Sequence, residues 1–175
     1  MDPELRSRLE AFLRPLYQDL DGVSRLEEIE RIGTIARRIH PSSDRTFELL
    51  LLFHGLGKWL EKVGNVSRTV LAVGGLSEGE LRRVAASIRK LDSPQSDEER
   101  ALAAAILVDR SGVRGLAQRF AAARREGHSV IDVVREAIAD SWIPDWVPEN
   151  ARPMLEERMD RRMDFCRAIL EELGS

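Results

Sequence analysis

The sequence predicts an all-α fold, and three observations carry this expectation. Leu, Ala, Arg and Glu, which favour helices, recur throughout the 175 residues, whereas aromatic residues make up only 5% of them. No long run of alternating β-branched residues, the pattern of a strand, appears. Capping residues, prolines and glycines separate apolar runs that have helical spacing. We therefore expect a single compact domain, residues 1–175, with about eight or nine helices.

The first part of the chain predicts three helices. Asp2 and Pro3 supply a cap and a first-turn proline for the first helix. Ser24 begins a capping box that opens the second helix. The segment 41–44 ends that helix and starts a third. The run 49–53 is apolar on every side, so we expect the third helix to lie at the centre of the fold.

The rest of the chain predicts five further helices. Capping boxes at Ser77 and Ser96 open two of them. The other three are expected at about 113–125, 129–140 and 152–173.

Tryptophans and arginines near the last helix have simple structural interpretations. Trp142 and Trp146 are expected to pack their proline-rich segment against the body of the protein. The pair Arg161 and Arg162 is expected on a solvated helix face. Cys166 falls on the apolar stripe of the last helix, where a thiol behaves as a small hydrophobic group.

Charge and composition exclude several classes of protein. Lys and Arg number 27 against 30 Asp and Glu, so the net charge is -3, and we expect no nucleic-acid binding. No apolar run reaches the roughly 18 to 20 residues of a membrane span, and the N-terminus is too charged for a signal peptide. The single cysteine cannot form an internal disulfide or a thiolate zinc site. These features predict a cytoplasmic protein without membrane association.

Two segments carry a resemblance to a known family. The predicted central helix ends in FHGLGKW, residues 53–59, which lacks the spacing of a phosphate loop. An apolar helix that ends in Leu-Leu-x-His-x-x-Gly-Lys resembles the signature of the HD superfamily of metal-dependent phosphohydrolases. The later segment AILVDR, residues 105–110, is similar to the part of that family that supplies a metal-binding aspartate. The residues from 155 onwards resemble the C-terminal helix of small bacterial HD proteins, so the resemblance covers about residues 24–173.

The resemblance implies a divalent-metal site, of which this sequence keeps only part. In the family, two histidines and two aspartates hold a metal that activates water and neutralises a phosphate. His54 and Asp109 stand at two of these four positions. Gly55 stands where the family has its paired aspartate, and Ser24 falls on or near the position of the first histidine. Because two protein ligands rarely hold a catalytic metal, we expect a vestigial site with no metal and no other cofactor.

Three basic residues suggest a ligand for such a site. Lys58 and Lys62, four residues apart, share one face of a helix, and Arg110 follows the late aspartate. Together they can hold a phosphate or carboxylate without a metal. Solvated surface lysines are the structural alternative for Lys58 and Lys62. For His54 the alternative is a hydrogen bond to Asp109 or to a backbone carbonyl.

The sequence therefore favours an HD-like pseudoenzyme that hydrolyses nothing. It is expected to bind a small anionic ligand or a protein partner, which includes a second copy of itself. The alternative is a phosphohydrolase that acts on a nucleotide or phosphomonoester with substitute ligands. In that case His54 and Asp109 would hold a divalent metal such as Mn, Fe, Ni or Mg.

Overall fold

The computed structural model describes residues 1–18, 25–42, 44–56, 60 and 75–174, and this part of the chain contains eight α-helices and no strand. The helices are α1 (Pro3–Gln18), α2 (Arg25–Ile39), α3 (Arg45–Phe53), α4 (Glu78–Arg89), α5 (Asp97–Ser111), α6 (Val113–Glu126), α7 (Val130–Ala139) and α8 (Arg152–Glu172). A short 3-10 turn, His54–Leu56, follows α3. The predicted all-α fold is confirmed. Within the described ranges, no helix combines the length and the apolar character that crossing a bilayer requires.

The chain forms two compact units, Met1–Ala103 and Ala104–Ser175. In the first unit α3 is the central helix, since every residue of 47–53 is buried. It packs against α2 and α4, and α1 packs against α2. The predicted central position of this helix is confirmed within the first unit, because an element that is apolar on all sides is stable only when others surround it.

One charged side chain is buried within this central helix. Glu48 accepts two hydrogen bonds from Arg37, from Nε to Oε1 at 2.8 Å and from Nη2 to Oε2 at 2.7 Å. Arg6 donates a third, at 3.2 Å. The hydrogen bond from Arg37 is the main reason why the pKa of Glu48 lies below its usual value, although burial opposes the shift. This arrangement connects α1, α2 and α3, and it compensates the cost of burying a carboxylate.

In the second unit α6, α7 and α8 pack together around a small core that contains Leu116, Val134 and Cys166. The thiol of Cys166 is fully buried, as its place on the apolar stripe predicted. Burial raises the pKa of this thiol. Gly127 ends α6 with a φ of 78°, a conformation that glycine adopts without the strain of a side chain.

The two later capping boxes are confirmed at atomic detail. Ser77 Oγ accepts the backbone N–H of Glu80 at 3.2 Å, and the Glu80 carboxylate accepts the N–H of Ser77 at 2.7 Å. Ser96 and Glu99 exchange the same two bonds, both at 3.2 Å. The box predicted at Ser24 lies outside the described residues.

The structure corrects two expectations in the second unit. Arg162 is only 1% exposed rather than solvated. Its Nη2 donates to the carbonyl oxygen of Asp140 at 2.6 Å, at the C-terminal cap of α7, and burial lowers the pKa of the guanidinium. Trp142 is 70% exposed. The buried apolar residues of this segment are instead Pro144 and Val147, and Trp146 is half-buried.

Candidate functional site

The structure describes four of the residues predicted for the site. His54 and Gly55 belong to the first unit, and Asp109 and Arg110 belong to the second. The remaining predicted residues, Ser24, Lys58 and Lys62, lie outside the described residues.

His54 is the first residue of the 3-10 turn that continues α3. Its Nδ1 lies 2.7 Å from the carbonyl oxygen of Leu51. Because a carbonyl only accepts, Nδ1 carries a proton and is the donor in this bond. The predicted hydrogen bond to a backbone carbonyl is therefore confirmed, whereas a bond to Asp109 stays a prediction. Histidines that bind metals use the same second-nitrogen contact, so this bond is compatible with both interpretations of His54.

The space beside Gly55 is filled by Tyr17, a residue of α1. A Cβ atom on Gly55 would lie 3.0 Å from Tyr17 Cε1 and 3.9 Å from Ile29 Cδ1. The first distance is shorter than the ~3.5–4.0 Å at which two carbon atoms attract each other. Any side chain at position 55, the family's aspartate included, therefore requires the ring of Tyr17 to shift by a few tenths of an ångström.

Tyr17 is held firmly in this place. Its side chain is 1% exposed, and its hydroxyl donates a hydrogen bond to the carbonyl oxygen of Leu52, in the last turn of α3. A buried tyrosine hydroxyl needs such a partner. No sequence motif predicted a role for Tyr17, although its spacing of four from Leu13 continues the apolar stripe of α1.

Asp109 and Arg110 lie in the last turn of α5, where the resemblance placed them. Asp109 is 2% exposed, whereas Arg110 is exposed to solvent. Gly115, in the first turn of α6, has its Cα so close to the Arg110 carbonyl that a Cβ would overlap it. This close approach holds the end of α5 against the start of α6.

The described part of the chain contains no group of three or more His, Cys, Asp or Glu side chains that could hold a metal ion. Residue 24 and the segment 57–59 are outside that part.

Comparison with known proteins identifies the fold. No protein-family model and no curated protein matches the chain. Among solved structures, Lin1889 from Listeria innocua superposes with a TM-score of 0.77 at 18% identity, over 99% of this chain and 98% of its own. YpgQ from Bacillus subtilis, solved in complex with ADP, superposes with a TM-score of 0.64 at 16% identity, over 95% of this chain and 97% of its own. At these identities the likeness concerns the fold alone.

Proposed function

We propose that this protein is an HD-like pseudoenzyme that binds a small phosphate-bearing ligand and does not hydrolyse it. The observation that carries the proposal is the packing of Tyr17 against Gly55. In the family that the sequence resembles, an aspartate at this position helps to hold the metal. Here the position has no side chain, and the space next to it is occupied by a buried ring. Without that carboxylate, the set of ligands that would hold a water-activating metal is incomplete.

The anionic ligand is supported by two independent points. YpgQ, which shares the fold over nearly its whole length, was solved in complex with ADP. In addition, Lys58 and Arg110 lie within the two segments that carry the resemblance, and Lys62 follows the first of them. Ammonium and guanidinium groups bind phosphate oxygens through charge-assisted hydrogen bonds, which need no metal. A nucleotide ligand also agrees with the cytoplasmic location that the sequence predicts.

A second candidate function, a metal-dependent phosphohydrolase, is favoured by one observation. The His54 ring donates from Nδ1 to a backbone carbonyl, the contact that orients metal-binding histidines. In this candidate His54 and Asp109 would be metal ligands, and substitute residues would complete the site.

Calorimetric titration with ADP and with inorganic phosphate tests the binding proposal. We expect ADP to bind the wild-type protein and its affinity to fall in the Lys58→Ala, Lys62→Ala double variant. Lys90→Ala is the matched control, since Lys90 is the remaining lysine of the chain and lies exposed at the C-terminal cap of α4. An unchanged affinity in the double variant would remove these lysines from the site. The absence of binding by either probe would contradict the proposal.

Metal content separates the two candidate functions. We expect elemental analysis of the purified protein to find no stoichiometric transition metal, and added Mn²⁺ or Mg²⁺ to produce no hydrolysis of ADP. A metal content of about one ion per chain that disappears in His54→Ala would favour the phosphohydrolase. Hydrolysis that depends on both the metal and His54 would establish it.

A further inference from the structure

The second unit contains a groove of about 650 Å³ with mainly apolar walls. Its sides are formed by α6, by the C-terminal part of α8 and by the start of α7. The residues that line it include Phe120, Val133, Phe165 and Ile169. Arg110, the described residue among those predicted for the anion site, is not one of the residues that line it.

Exposed apolar side chains are concentrated at this groove. Five large hydrophobic side chains are exposed in the described part of the chain, and four of them line it. These four are Val113, Val130, Phe165 and Leu173, with exposed fractions of 41% to 52%. The fifth, Trp142, lies elsewhere. Apolar side chains that cluster on a concave surface, rather than lying scattered, are typical of an interaction site.

The two rims of the groove carry opposite charges. Arg124, in the last turn of α6, and His128, just beyond it, lie on one side, and Glu172 of α8 lies on the other. Within the described residues neither Arg124 nor Glu172 forms an ion pair, and His128 has only a 4.0 Å contact with the exposed Glu126. The groove thus has one basic rim and one acidic rim along apolar walls.

We propose that this groove is the interface of a symmetric dimer, with a second copy of the chain as its occupant. A two-fold axis along the groove would set the α6 rim of one copy against the α8 rim of the other. Arg124 would then face Glu172 of the second copy, and this pairing would occur twice. The exposed apolar side chains that line the groove in each copy would leave water together, which supplies the main driving force, inside a polar rim.

The charges favour a second copy over other occupants. A ligand or partner with one sign of charge would be attracted by the oppositely charged rim and repelled by the like-charged rim. A surface with both signs on opposite rims is complementary to itself. A small amphipathic ligand and an unrelated partner protein are therefore the alternatives that the experiment must exclude.

Sedimentation equilibrium over a wide range of protein concentration tests the proposal. We expect the wild-type chain to dimerise and Phe165→Asp to raise the dimer dissociation constant at least about tenfold, since it places a charge in the apolar centre. Trp142→Asp is the matched control, because it makes the same kind of change at an exposed apolar residue outside the groove. Circular dichroism confirms that each variant is folded.

A charge exchange at the rims provides a second test that does not depend on Phe165→Asp. Arg124→Glu and Glu172→Arg should each weaken the dimer, and the double variant should restore it, because the pair is reversed rather than removed. A wild-type chain that is monomeric at all concentrations would overturn the proposal. A dimer that survives both Phe165→Asp and Arg124→Glu would overturn it too, because the interface would then lie elsewhere.

Discussion

Tyr17 and Gly55 depend on each other at the scale of single residues. The buried ring of Tyr17 occupies the space where a side chain at position 55 would begin, and its hydroxyl is bonded to the last turn of α3. Glycine at this position therefore suits the packing, because it leaves room for the ring. An aspartate placed at this position would require the Tyr17 ring to shift by a few tenths of an ångström.

Gly55→Ala is expected to destabilise the protein by about 1 to 3 kcal/mol, the usual cost of overpacking a core. The same substitution in a Tyr17→Ala background should cost less, because the atom that it meets is gone. Urea denaturation of the two single variants and the double variant measures this coupling. Strictly additive effects would show that Tyr17 is not what excludes a side chain at position 55.

Arg162 is the second residue whose role depends on its surroundings. It occupies a buried position on the same face of α8 as Leu155, Met159 and Cys166, and it donates to the C-terminal cap of α7. A cation near the C-terminal end of a helix also interacts favourably with the helix dipole. This side chain thereby fixes the end of α7 against α8.

Arg162→Ala should destabilise the protein by about 2 to 5 kcal/mol, because it creates a cavity and removes the hydrogen-bond donor of the Asp140 carbonyl. Arg162→Met, which keeps most of the volume, should cost less. The neighbouring Arg161→Ala is the control, since that side chain is 70% exposed and pairs with the exposed Glu157, at 2.6 Å; its effect should stay within about 0.5 kcal/mol. Equal costs for Arg161→Ala and Arg162→Ala would contradict the buried role.

At the scale of helices, Glu48 joins three elements of the first unit. The hydrogen bond from Arg37 lowers the pKa of Glu48 in the folded protein. A carboxyl group with a lowered pKa contributes stability that is present above its unfolded value and is lost as the pH falls through the folded value. The contacts among α1, α2 and α3 should therefore weaken in acid.

Glu48→Gln should lower the melting temperature clearly at pH 7. The difference from wild type should shrink as the pH falls below about 4.5, the usual pKa of the group, because the carboxyl group protonates there in the unfolded chain and, at the lower pKa, in the folded protein. Thermal melts from pH 7 to pH 3 measure both curves. A difference that stays constant over this range would show that the charge of Glu48 is not what stabilises the helices.

At the scale of the whole molecule, the fold persists at low sequence identity. Lin1889 shares 18% of its residues with this chain, yet the two superpose over almost their full lengths. Helix packing depends on the pattern and volume of apolar positions more than on particular residues. A site depends instead on particular side chains, so fold and function have to be argued separately.

The buried thiol of Cys166 reports on opening of the second unit. Because the reactive form is the thiolate, and burial both shields the sulfur and raises its pKa, a thiol reagent should label the native protein very slowly. Labelling should become fast in denaturant, and its midpoint should coincide with the loss of helical signal in circular dichroism. Rapid labelling of the native protein would show that the core around Cys166 opens readily.

Much of the helical structure was determined by the sequence itself. Periodic apolar positions, the capping serines at 77 and 96 and the glycine at 127 are local signals, and local signals determine where a helix starts and stops. The apolar run 49–53 was enough to place α3 at the centre. For the candidate site, the sequence located His54 and Asp109 at the ends of two helices, because the resemblance rests on residues that are near one another in the chain.

Other features were decided only by the tertiary structure. The contact of Tyr17 with Gly55, the burial of Arg162 and the bonds from Arg37 and Arg6 to Glu48 all join residues from different helices. The exposure of Trp142 and the groove beside Phe165 likewise depend on which faces pack together. Such contacts cannot be predicted from periodicity, because a helical stripe shows which residues face inwards but not which neighbours they meet.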